Sequence, residues 1–243
     1  MTSTEKAARY CQQSEALFEC WKQKEPCEEI NHREEIFVRD GVVCPDIWFS
    51  QQIRPLYLLK EAYSDPGDPD WSLVSYLLAE ESVGKHTTWK RISEWTQGLF
   101  HTTATSVFPY SKVEKGIKRG DPIYHQIAVM NVRKSGGKKN SKMNAIRHYA
   151  ETDQKELLEQ ITLIDPTMIV CGYTISCLNI ILGKTVKDYA RPETFSADLF
   201  FLNELNGHPL IALDYWHPSN QFPDMMNYYG LMGSYQQALQ AAQ

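Results

Sequence analysis

No apolar run in the 243 residues reaches the roughly 18 residues that a membrane span requires, so no transmembrane segment is expected. Cysteine is scarce. The six thiols, at 11, 20, 27, 44, 171 and 177, are too few and too irregular for a disulfide framework, and a reducing cytoplasm is the expected compartment. The first 21 residues are polar and helix-like and lack the hydrophobic centre of a signal peptide, so secretion is not expected. Repeats, low-complexity tracts and linkers are missing, and the composition excludes disorder, collagen and coiled coil. Positive charge is in deficit, with 25 Lys and Arg against 30 Asp and Glu, which excludes a heavily basic histone-like protein. What is present is 42% hydrophobic residues, enough for one domain to bury a core without disulfides or structural metals.

The distribution of charge says more than its sum. Between Lys112 and Lys142 stand nine basic residues against two acids, whereas Glu25 to Asp40 is acidic. One face is expected to be electropositive on an otherwise acidic protein, a modest phosphate-binding footprint. A charge run alone fits a solvated loop as well. The pair Gly136 and Gly137 inside Asn131-Val-Arg-Lys-Ser-Gly-Gly-Lys-Lys shifts that weighing, because glycines let backbone amides approach an anion that lysines neutralise.

Strand and helix patterns alternate along the chain. Residues 5–21 and 29–39 read as amphipathic helices ahead of the main fold. Pro55 to Leu59, Ile127 to Met130, Met168 to Cys171 and Pro209 to Leu213 are short apolar runs, expected to be buried strands. A polar loop over 61–70 follows the first, then helices near 71–81 and 86–99; further helices are expected over 151–164, about 174–182 and from about 224. The repeated strand, loop, helix order predicts a three-layer α/β/α sandwich with a four-stranded, mostly parallel sheet. Residues 1–52 form an N-terminal helical extension and 53–243 the main domain.

In such folds ligands bind beyond the carboxyl ends of the strands. The segments there are Lys60-Glu-Ala-Tyr-Ser-Asp, Asn131-Val-Arg-Lys-Ser-Gly-Gly, Gly172-Tyr-Thr and His217-Pro-Ser-Asn. Each alone fits a cap or surface group; four at equivalent places converge on one rim. His217 stands out, since the following proline stiffens its loop.

Taken in order, Leu59-Lys-Glu-Ala, Asn131-Val-Arg-Lys-Ser, Asp165-Pro-Thr-Met-Ile-Val-Cys-Gly-Tyr-Thr and His217-Pro-Ser resemble the uracil-DNA glycosylase superfamily over about residues 53–225. The nearest branch has Gly-Glu-Ala-Pro-Gly as its first motif. The resemblance implies a four-stranded parallel α/β/α fold that binds DNA and hydrolyses a base–sugar bond; no cofactor is expected. Departures are specific. Lys60, Tyr63 and Ser64 replace the motif's two glycines and its proline, and Ala62 stands where classical members carry a water-activating Asp, leaving Glu61 or Asp65 to substitute. Ser135 replaces the cysteine of the iron–sulfur branch, and the N-terminal cysteines with His32 match no paired metal spacing, so no metal is expected.

The chemistry assigns roles. Cleavage builds positive charge on the sugar and negative charge on the departing base. His217 is the candidate donor to the base carbonyl, and Glu61 or Asp65 orients water. Asn131 reads a pyrimidine edge, with Ala62, Tyr63 and Trp71 around the extruded base. Arg133, Lys134, Ser135, Gly136, Gly137, Lys138, Lys139, Ser219 and Asn220 are candidates for DNA phosphate. With the uracil-specific Asp missing and the first motif altered, a modified pyrimidine is the expected substrate, hydroxymethylated or glycosylated cytosine of phage DNA first among them. The expected partner is DNA and the expected state a monomer, in a repair or antiviral role. Conventional uracil repair, a nucleoside N-ribohydrolase and a non-catalytic DNA-binding module are the alternatives.

Overall fold

A computed structural model describes residues 1–79, 86–137, 141–184 and 200–243. Its elements are α1 (Ser3–Lys22), β1 (Val38–Arg39), β2 (Gly41–Val42), α2 (Pro45–Trp48), β3 (Pro55–Tyr63), β4 (Trp71–Ser72), α3 (Leu73–Leu78), α4 (Thr87–His101), α5 (Pro122–His125), β5 (Ala128–Gly137), α6 (Met143–Thr152), α7 (Gln154–Ile164), β6 (Met168–Gly172), α8 (Ile175–Leu182), β7 (Phe200–Leu205), β8 (His208–Tyr215) and α9 (Asp224–Ala241). The expected α/β sandwich is present, with an N-terminal helix.

The sheet runs β2-β5-β3-β6-β8-β7. β5, β3, β6 and β8 are mutually parallel, and these are the four strands read from the apolar runs. Two antiparallel edges complete it, β2 on β5 and β7 on β8, so the sheet has six strands rather than four among the described residues. The apolar runs carry no polar alternation because both faces of each central strand are covered. In β3, Leu56 and Leu58 face a core with α1, α6, α7 and α8, while Tyr57 and Leu59 face a second core with α3, α4, α5 and α9.

The N-terminal segment departs most from expectation. α1 is anchored by a capping box between Thr2 and Glu5, and buries Tyr10, Leu17, Phe18 and Trp21 in the first core. Residues 29–39 are not a helix. Cys27 and Ile30 exchange backbone hydrogen bonds, Phe37 bridges Ser135, and Ile36 accepts from the Gly136 amide at 2.8 Å. Long-range pairing with β5 outweighs a weak local helical pattern there. The helix expected over 151–164 divides at Asp153, a fully buried carboxylate bonded to His32 and Lys24.

β3 and β5 also run further than their apolar segments. β3 continues to Tyr63, where a loop was expected from residue 61, and β5 continues from Asn131 to Gly137. Glu61 pairs with Arg133 across the two strands, and Tyr63 with Gly137.

Candidate active site

β3 pairs with β5 on one side and β6 on the other, and the helices following β3 and β5 pack on opposite faces. The chain thus changes direction at β3, which leaves a crevice above the carboxyl ends of the central strands. A cavity of about 720 Å³ opens there. β3 contributes residues Leu59 to Tyr63, β5 contributes Asn131, and the loop after β8 contributes His217, Ser219 and Asn220. Trp71, Tyr76 and Trp89 form an aromatic wall, with Trp71 and Tyr76 centroids 6.3 Å apart and Tyr76 and Trp89 6.1 Å apart. Trp71 is steered by its indole N–H, which donates to Ser64 Oγ at 2.8 Å.

His217 sits on a rigid loop. Arg91 of α4, buried, donates to the carbonyls of Pro218, Asn220 and Phe222 and to the Asp224 carboxylate. The Ser219 backbone N–H donates to His217 Nδ1 at 3.2 Å. An amide can only donate, so Nδ1 carries the lone pair and Nε2 the proton. Burial, assisted by the charge of Lys60, lowers the imidazole pKa from 6.5 to about 4. The ring is therefore neutral at physiological pH and has one N–H to offer the cavity.

Asn131 is buried and oriented by a residue from the N-terminal segment. Asp40 Oδ2 accepts from the Asn131 backbone N–H at 2.7 Å and from Nδ2 at 3.3 Å. Its other oxygen accepts from Lys134 Nζ at 2.6 Å and Gln160 Nε2 at 2.8 Å. Because a carboxylate only accepts, the Asn131 NH₂ is turned towards Asp40, which leaves Oδ1 and one N–H for a ligand.

The remaining candidates divide. Glu61 lines the cavity, but its carboxylate is paired with Arg133 at 3.2 Å. Asp65 does not reach the cavity; it is exposed, accepting from the Tyr63 hydroxyl in the turn that follows β3. The phosphate set is largely redirected inward. Lys134 is fully buried, its ammonium neutralised by Asp40, and Ser135 is buried against the Tyr149 hydroxyl at 3.1 Å. Gly136 and Gly137 form a strand rather than an anion loop. The Gly136 amide is occupied by Ile36, and a Cβ at Gly137 would come within 2.5 Å of Glu61, so this glycine makes room for that side chain. The Asn220 amide donates to the His217 carbonyl and Asn227 Oδ1, stitching the loop together. Ser219 is exposed, with Oγ 2.7 Å from His217 Nδ1. Lys138 and Lys139 lie outside the described residues. Tyr76, Trp89, Arg91 and Asp40 were not read as site residues in the sequence; the aromatics have the spacing of ordinary core positions, and Asp40 is 91 residues from Asn131.

Among known proteins, no family model and no curated protein matches the chain.

Proposed function

We propose that this protein is a DNA glycosylase that takes an extruded, modified pyrimidine into the cavity and hydrolyses its N-glycosidic bond, leaving an abasic site. The observation that carries the reading is the convergence, in one cavity above the strand ends, of a neutral His217 N–H, the oriented Asn131 amide, Glu61 and an aromatic wall. Asn131 offers an acceptor and a donor side by side, which complements the edge of a pyrimidine. The aromatic wall supplies a surface for stacking a flipped base. In this reading His217 Nε2–H stabilises charge growing on the base carbonyl, and Glu61 holds water or supports the cationic sugar.

The cavity of about 720 Å³ has room for a base with its sugar and for a substituent on the ring. Hydroxymethylated or glycosylated cytosine is the substrate we infer, which would place the protein in defence against phage DNA. DNA oligonucleotides bearing uracil, cytosine and modified cytosines test this, with alkaline cleavage reporting abasic sites. Release from modified cytosine is expected. Fast release from uracil with none from modified cytosine would return the protein to conventional uracil repair.

A nucleoside or nucleotide N-ribohydrolase is the second reading. It is favoured by the inward turn of Lys134 and Ser135 and by the pairing of Arg133, which shrink the phosphate-facing surface. Binding to DNA that weakens linearly with log salt supports the polymer substrate; release from free nucleosides without DNA binding supports the small molecule.

A further inference from the structure

We propose that Lys60 is a nucleophilic amine, and that the protein condenses it with the aldehyde of an abasic sugar and cuts the DNA strand by β-elimination. This inference rests on the base-excision reading above.

Lys60 occupies the carboxyl-terminal part of β3, the central strand, and is the one amine among the described residues that line the cavity. The lysines with described salt bridges are tied to carboxylates: Lys22 to Asp70, Lys24 to Asp153 and Glu156, Lys90 to Asp224, Lys115 to Glu94 and Lys134 to Asp40. Lys60 has no carboxylate within ion-pair reach among the described residues. Its Nζ instead lies 4.8 Å from the centre of the Tyr173 ring. Tyr173 is held in place with φ 63° by backbone bonds to the Cys171 and Tyr215 carbonyls. Partial burial lowers the Lys60 pKa, opposed by the charges of Glu61 and Cys177. Desolvation favours the neutral amine and the Tyr173 ring face the ammonium; the net lowering makes the amine more readily available for Schiff-base chemistry.

After the base departs, the ring-opened sugar presents an aldehyde at C1′ within the same cavity.

The atoms balance without an oxidant. The Nζ lone pair bonds to C1′, and the carbinolamine hydroxyl leaves as water to give an imine. The C2′ proton passes to a carboxylate, the role we give to Glu61, which lines the cavity. The C3′–O bond then breaks, its electron pair departing with the 3′-phosphate. Water hydrolyses the imine and restores the amine.

The test uses the full chain and an oligonucleotide with a preformed abasic site, so it does not depend on base release. Sodium borohydride reduces any imine to a stable covalent adduct. The wild-type protein is expected to give a protein–DNA adduct that maps to Lys60 by peptide mass spectrometry. Lys60→Arg, which retains the charge, and Lys60→Ala, each verified as folded by circular dichroism, are expected to lower its yield at least about tenfold. No adduct with the wild type, or an equal yield from Lys60→Arg, overturns the proposal. Base release is measured in parallel by alkali on modified DNA. Release without an adduct sinks the amine chemistry and leaves base excision standing. A Lys60-dependent adduct without release from any modified DNA does the reverse.

Discussion

At the scale of single residues, the site depends on which atom carries a proton. His217 Nδ1 is engaged by an amide that cannot accept, so Nε2–H is the form on offer, and burial keeps the second proton off until about pH 4. Base release is accordingly expected to be flat from pH about 5 to 8 and to fall only near 4; a transition near 6.5, the ordinary histidine value, would show that the ring is not shielded. Stability follows the same sign. The unfolded imidazole takes a proton near 6.5 and the folded one does not, so this group's contribution is complete above that pH and is lost as pH falls towards 4. His217→Ala and Asn131→Ala are each expected to lower base release by at least about tenfold with the fold retained. Near-wild-type rates from both folded variants would remove them from the site.

At the scale of elements, β5 illustrates what can be read in a sequence and what cannot. Its apolar half, through Met130, is visible as a buried strand, and so is Asn131 as the residue just beyond it. The second half is hidden, because Arg133, Lys134, Gly136 and Gly137 have the composition of a phosphate loop. They form a strand because their partners are distant: Asp40 neutralises Lys134, Glu61 pairs with Arg133, and Ile36 takes the Gly136 amide. No local pattern reports a counter-ion 94 residues away. His217 was legible for the opposite reason, since Pro218 and the strand before it mark its place locally. The stretch 29–39 failed as a helix on the same long-range ground as β5. Lys134→Ala therefore tests structure rather than DNA affinity. Removing one partner of a buried pair strands the other, and urea unfolding is expected to show a loss of about 3–5 kcal/mol. A variant as stable as wild type but weaker on all DNA sequences would restore the phosphate role.

At the scale of the whole molecule, residues 1–52 are not an appendage in energetic terms. Tyr10, Leu17, Phe18 and Trp21 are buried in the first core, each worth about 1.5–3 kcal/mol of apolar burial, and Asp40 orients Asn131 and pairs with Lys134. A chain beginning at residue 53 is expected to lack a cooperative thermal transition, read by circular dichroism; a sharp melt near that of the full protein would show two independent units. The same arrangement has a consequence in time. β3 leaves the ribosome with neither parallel neighbour, because β5 begins at Ala128 and β6 at Met168. Asp40 waits for Asn131 and Lys134, and Trp48 for the Ile164 carbonyl. The early part of the chain must remain unsatisfied until most of the protein has been made. Loop closure on that scale makes for slow folding, and it exposes an apolar strand to neighbouring chains throughout. Expression temperature and chaperone supply, more than intrinsic stability, should then govern the yield of active protein.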